Sequence, residues 1–126
     1  MSSETAERFM AALQQAEQRK DASPLVEFFG DDAELSNLAH RQQKHGREGA
    51  REFWEGYLAV FDRVSSEFTN VVVSDTGAAL EWVARGTLAG GAPIDYEGVS
   101  VLETADGRVR RFKTYYDTAA FVAAGG

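Results

Sequence analysis

The chain of 126 residues contains no cysteine, which excludes a disulfide framework, a thiol nucleophile and a thiolate metal site. Histidine is scarce too. His40 and His45 are the only two, and they lack the i, i+4 spacing of a helical ligand pair and a nearby third ligand, so no metal is expected. Basic residues are outnumbered, 13 against 20 acidic, for a net charge of -7. The positive side chains Arg108, Arg110, Arg111 and Lys113 are interleaved with acidic segments, so a nucleic-acid partner is not expected. Long apolar runs are missing as well: the longest, around Leu58 to Phe61 and residues 71–73, are far too short to cross a bilayer. Residues 1–7 lack the basic and apolar regions of a signal peptide, and the expected location is the cytoplasm.

What is present is an ordinary globular balance, 44% hydrophobic and 26% charged, in a length that suits one domain spanning 1–126, ordered over about 3–122. Apolar residues Ala6, Phe9, Met10, Leu13 and Ala16 recur at helical spacing, with Ser3 as the expected cap. Ser23-Pro24 reads as the start of a short helix through Phe29 that Gly30 terminates, followed by Asp31 and Asp32 as turn residues. A short strand over 33–38 leads through a polar connector to the strongest helical stripe: Ala50, Phe53, Trp54, Tyr57, Leu58 and Phe61. Four strands then follow, over 64–74, 78–88, 94–104 and 109–116, joined by Asp75-Thr76-Gly77, Gly90-Gly91-Ala92-Pro93 and Asp106-Gly107. Gly98 predicts a bulge that puts Ile94, Tyr96, Val99 and Val101 on one face. Asp117 is placed to cap a last helix over 118–122, with 123–126 as a frayed tail. Helices ahead of a curved antiparallel sheet must pack on one face of it, which is a segregated α+β architecture.

The order of these segments, with Phe28-Phe29-Gly30-Asp31-Asp32-Ala33, Gly46-Arg47-Glu48, Asp106-Gly107-Arg108-Val109 and Tyr115-Tyr116-Asp117, resembles the SnoaL-like branch of the nuclear transport factor 2-like superfamily over nearly the whole chain. The resemblance implies a conical α+β barrel, its curved antiparallel sheet wrapped around N-terminal helices, with a pocket inside and a homodimer across the outer sheet face. The superfamily includes enzymes and nonenzymatic members, so the site must decide the function. Where ketosteroid isomerases carry their base aspartate, this chain has Asn37, which cannot accept the proton. Limonene epoxide hydrolase-like enzymes carry paired carboxylates on the meander. Here the corresponding neighbourhoods hold Trp82, Val83, Ala84 and Arg85, and Thr114. Scytalone dehydratase relies on pocket histidines, which His40 and His45 do not match.

The expected inner face comprises Phe9, Leu13, Leu35, Asn37, Trp54, Tyr57, Phe61, Leu80, Trp82, Ile94, Tyr96, Phe112, Thr114 and Tyr116. Rings supply contact area and their polar tips fix orientation, so this wall suits a small, largely apolar organic ligand; the bland reading is that the rings fill the cone themselves. If the protein is an enzyme, it is an isomerase, cyclase or hydrolase needing no cofactor, since Gly90-Gly91 joins two strands and makes no phosphate loop. Asn37 would then orient a carbonyl or a water, Tyr57, Tyr96 or Tyr116 would donate to developing negative charge, and His40 or Asp117 would move the proton. Against these stand structural roles: a backbone partner for Asn37, a solvated loop for His40 and an N-cap for Asp117. The alternative function is a noncatalytic ligand-binding or protein-interaction module. Glu81 and Arg85 alternate with Leu80 and Trp82 and are expected outside; reversed strand parity would turn them into the cavity.

Overall fold

The computed structural model describes residues 1–38 and 43–125; His40 lies outside them. Helix α1 (Ser3–Arg19) buries Ala6, Phe9, Leu13 and Ala16 as its periodicity requires, and the stripe also takes in Glu17, four residues after Leu13. Its cap is Ser2, not Ser3. Ser2 is extended and its Oγ accepts from the Thr5 amide at 3.0 Å; adjacent serines have the same capping chemistry, and only the backbone conformation separates them. Ala22 holds the N-cap position of helix α2 (Ser23–Val26) without a side-chain hydrogen bond, and the helix ends three residues before Phe29.

The chain then enters strand β1 (Phe29–Asn37) four residues earlier than expected. Phe29, Ala33 and Leu35 are all buried, and a register shift between Phe29 and Glu34 absorbs the Gly30-Asp31-Asp32 segment. Within the polar connector, β2 (Lys44–His45) pairs with β1. Helix α3 (Gly46–Ala59) buries Trp54 and Leu58. It stops before Phe61, which opens β3 (Phe61–Val73) and stays buried because the helix end and the strand start face the same core. The meander continues through β4 (Gly77–Leu88), β5 (Pro93–Ala105) and β6 (Arg108–Tyr116).

Among the described residues the sheet order is β2-β1-β6-β5-β4-β3. No pairing joins its two edges, so this curved sheet stays open. One pairing departs from the antiparallel expectation: β1 lies parallel to β6, which requires a long crossover, supplied by α3 and the intervening meander. The α1, α2 and α3 helices lie on the concave face, giving the conical α+β fold.

Parity is settled by burial. Leu80, Trp82 and Ala84 point inward, while Glu81 and Arg85 are exposed on the outer face. Arg85 meets Asp95, its register partner, at 3.8 Å, and Arg111 meets Glu103 at 2.9 Å. Exposed pairs of this kind mark a solvated surface and contribute little stability.

The bulge expected at Gly98 is absent. β4 and β5 stay in register from Gly77↔Glu103 to Thr87↔Pro93, and β5 shifts against β6 only between Glu103 and Thr104. Strict alternation therefore puts Ile94, Tyr96, Ser100 and Leu102 inside, with Val99 and Val101 on the other face. The glycine answers a different need: a Cβ at Gly98 would lie 2.2 Å from the Tyr115 carbonyl oxygen and 2.9 Å from Cζ2 of Trp82. Gly98→Ala is expected to destabilise the fold by roughly 1 to 3 kcal/mol, the usual cost of overpacking. A urea titration that cannot separate this variant from the parent would contradict that steric account.

Asp117 accepts from the Ala119 amide at 3.0 Å at the start of α4 (Ala119–Gly125). This helix runs beyond the expected end at 122: Ala124 joins Phe121 against the cluster around Phe61 and Tyr96, and the Phe121 ring centroid lies 4.8 and 5.6 Å from those of Tyr96 and Tyr116. No helix among the described residues is long and apolar enough to cross a membrane.

Candidate functional site

Two apolar clusters divide the interior. One joins α1, α2 and α3 to the sheet through Phe9, Phe29, Trp54 and Phe112; the other gathers Phe61, Trp82, Ile94 and Tyr96 under α4. A cavity of about 290 Å³ is walled by residues of both, near the lower end of small-molecule sites. Leu13, Asn37, Trp54, Tyr57, Phe61, Trp82, Tyr96, Phe112, Thr114 and Tyr116 all line it. Lys44 and Glu52, 3.3 Å apart, are partly exposed on its wall.

Five of the sequence-derived residues do not join this wall. Phe9, Leu35, Leu80 and Ile94 are buried core, because the helix stripe and the inner strand faces are wider than the cavity. Asp117 is exposed, outside the lining, and its carboxylate is occupied in capping α4. Among the described residues, no group of three or more His, Asp or Glu side chains is arranged to hold a metal.

The polar lining is organised by two buried networks. In the first, Glu17 of α1, only 4% exposed, accepts from the Ser66 amide at 2.9 Å, from Ser66 Oγ at 2.6 Å and from the Tyr57 hydroxyl at 2.6 Å. Burial raises its pKa, and these hydrogen bonds offset part of the rise. Tyr57 thus gives its proton to a carboxylate and does not present it to a ligand. Burial pushes the Tyr57 hydroxyl well above its ordinary value, and the charges of Tyr96 and Glu17 add to this. Tyr96 is raised by burial, with hydrogen bonding to Tyr57 acting the other way, and Tyr116 is raised by burial. These phenols stay neutral and serve as hydrogen-bonding groups.

The second network crosses the sheet. Trp82 Nε1 donates to Ser100 Oγ at 3.0 Å, and Ser100 Oγ lies 3.0 Å from Thr114 Oγ1. Asn37 stands beside Thr114 in the parallel register of β1 and β6. Trp54 Nε1 is buried with no hydrogen-bond partner, a costly arrangement for an indole donor.

Glu17, Ser66 and Ser100 were not among the sequence-derived site residues. The signal for Glu17 is its place four residues after Leu13, where an apolar stripe carries a carboxylate. Ser66 and Ser100 betray themselves by strand parity, as small hydroxyls between inward apolar neighbours: Val64 and Phe68, Tyr96 and Leu102.

What this arrangement offers chemically is an aromatic chamber with neutral hydrogen-bond groups and the partly exposed Lys44–Glu52 ion pair on its wall, and the buried Glu17 carboxylate behind it. Several solved structures share the architecture. A protein of ketosteroid isomerase-like fold from Catenulispora acidiphila DSM 44928, in complex with trimethylamine, matches at 19% identity and a TM-score of 0.83, over 98% of this chain and 93% of that one. TerC, co-crystallized with polyporic acid, matches at 16% identity and a TM-score of 0.77, over 91% and 93%. An NTF2-like protein of unknown function from Burkholderia pseudomallei K96243 matches at 17% identity and a TM-score of 0.81, over 98% of both chains. At these identities the likeness is one of fold. No curated protein matches the sequence significantly. The sequence model of the SnoaL-like domain matches residues 6–112, which is most of the chain, and this protein therefore belongs to the SnoaL-like domain family.

Proposed function

We propose that the protein binds a small, largely apolar organic molecule in the cavity between its helices and its sheet and transforms it as an isomerase, cyclase or hydrolase, through oriented side-chain groups alone. The observation that carries this reading is the cavity of about 290 Å³ with Trp54, Tyr57, Trp82, Tyr96 and Tyr116 on its wall. Buried hydrogen-bond groups in such a low-dielectric chamber interact strongly with charge that develops on a ligand. Asn37 orients a carbonyl or a water, and His40, three residues further along the chain, moves the proton. The trimethylamine and polyporic acid held by proteins of like fold support an organic ligand here.

A second reading, a noncatalytic binding module, is favoured by Glu17. Its carboxylate stands outside the cavity lining and is occupied by three hydrogen bonds from Ser66 and Tyr57, so it is not within reach of a ligand's proton. Native mass spectrometry of the purified protein decides whether an organic molecule is carried, and turnover of that molecule separates the readings. With turnover, Asn37→Ala should lower it while leaving binding largely intact. Binding without turnover supports the module, and a protein that carries no organic molecule and binds none contradicts both.

Near its end β3 exposes Val71 and Val73 on one side and Val72, at 58%, on the outer face of the sheet. Apolar side chains exposed on a strand favour association, and we assign this face to a homodimer. Sedimentation is expected to show a dimer that Val72→Glu weakens at least tenfold. A parent protein that stays monomeric at high micromolar concentration contradicts the assignment.

A further inference from the structure

Two hydrogen-bonded networks on the cavity wall differ in the protons they leave over. The Trp54 indole N-H, buried without a partner, and the Tyr96 hydroxyl are further donors on the same wall. A carboxylate can only accept. With Glu17 ionised, the Tyr57 and Ser66 hydroxyls both donate to it, at 2.6 Å each. Tyr57 and Ser66 line the cavity, yet each has its single proton engaged, so toward any further partner they offer lone pairs only. The network of Trp82, Ser100 and Thr114 counts differently. It holds three protons, one on the indole and one on each hydroxyl, and two internal contacts at 3.0 Å. Whichever of Ser100 and Thr114 donates to the other, one hydroxyl proton is used by neither contact. Both hydroxyl residues line the cavity. The two networks lie on opposite sides of β4, Ser66 on β3 and the Ser100–Thr114 pair on β5 and β6.

We propose that these networks polarise the cavity, with acceptors on the Glu17 side and a donor on the Thr114 side, and that it selects an apolar molecule carrying a hydroxyl-type donor and a carbonyl-type acceptor. Glu17 acts as a positioning residue: it touches no ligand and fixes the sense of Tyr57 and Ser66. The inference rests on the cavity being a ligand site, and it adds which functional groups that ligand carries.

Four flat probes of one shape test it: naphthalene, 2-naphthol, 2-naphthaldehyde and 6-hydroxy-2-naphthaldehyde, titrated calorimetrically at pH 7.5. Each single group is expected to improve binding over naphthalene by up to about tenfold, the effect of one well-made hydrogen bond, and the compound with both should bind best. Glu17→Gln introduces amide protons that reverse the count on its side. The advantage of 2-naphthol should fall below threefold, while 2-naphthaldehyde keeps or improves its own. Tyr57→Phe, which removes one of the acceptor oxygens and leaves Glu17 held by Ser66, should also reduce the 2-naphthol advantage and stands in if Glu17→Gln fails to fold. A 2-naphthol advantage that survives both variants overturns the acceptor side. Equal binding of 2-naphthaldehyde and naphthalene overturns the donor side. Naphthalene binding with no preference anywhere sinks the polarity while leaving the ligand site standing, whereas no binding of any probe sinks the ligand site too.

Discussion

Trp54→Ala is expected to destabilise the protein by roughly 3 to 5 kcal/mol, the range for deleting a large buried aromatic side chain. Trp54 is 3% exposed and touches the rings of Phe9, Phe29, Phe53, Tyr57 and Phe112, with centroids 5.0 to 6.4 Å apart. Its removal takes away the contact that ties α3 to both α1 and the sheet. Two terms pull the figure down. The indole N-H is buried without a partner, so its penalty disappears with it. Some of the new space also merges with the existing cavity instead of forming a sealed void. Neither offsets the loss of the ring's apolar burial, which alone is of the order of several kcal/mol. Urea denaturation followed by circular dichroism measures it, and a loss below about 1 kcal/mol would mean that the ring is not the wedge between the helices and the sheet.

Glu17→Ala is expected to cost about 2 to 4 kcal/mol near neutral pH, because it strands three buried donors, each worth about 1 to 3 kcal/mol when unsatisfied. The Ser66 amide cannot turn away, whereas the Ser66 and Tyr57 hydroxyls can find other acceptors in part, so the sum falls short of three full penalties. The cost also depends on pH, with a definite sign. The folded protein raises the Glu17 pKa above its ordinary value of 4.5, so it holds that proton more tightly than the unfolded chain does. The stabilisation from that difference is complete below pH 4.5 and is lost as pH rises through the raised value. Alanine does not titrate. The cost of Glu17→Ala should therefore grow as pH is lowered from 8 toward 5, read from paired urea titrations. A cost that shrinks over that interval would show that hydrogen bonding outweighs burial at Glu17 and lowers its pKa.

Much of the fold was legible because it follows from periodicity. The stripe of Phe9, Leu13 and Ala16, the alternation of Leu80, Trp82 and Ala84, and the glycine-bearing turns each carry a local signal that tertiary packing did not override. What the sequence hid was non-local. Pairing of β1 with β6 joins segments some eighty residues apart and leaves no mark on either. Gly98 announces a steric demand, but nothing local says whether a bulge or a neighbouring indole makes it.

The candidate wall was readable for the same periodic reason, down to the hydroxyl and amide tips of Tyr96 and Asn37. The networks behind it were harder to see, since Glu17 and Ser66 are 49 residues apart and meet only when α1 lies across β3. A carboxylate inside an apolar stripe was the available clue, and its partners could not be named until the strands were in register.

Crystals of the protein grown with 2-naphthol test the central claim most directly. The account predicts density for the ring system between Trp54, Tyr57, Trp82 and Tyr96, with its hydroxyl toward Tyr57 and Ser66. A cavity holding only ordered water, with the probe elsewhere or absent at saturating concentration, would contradict it.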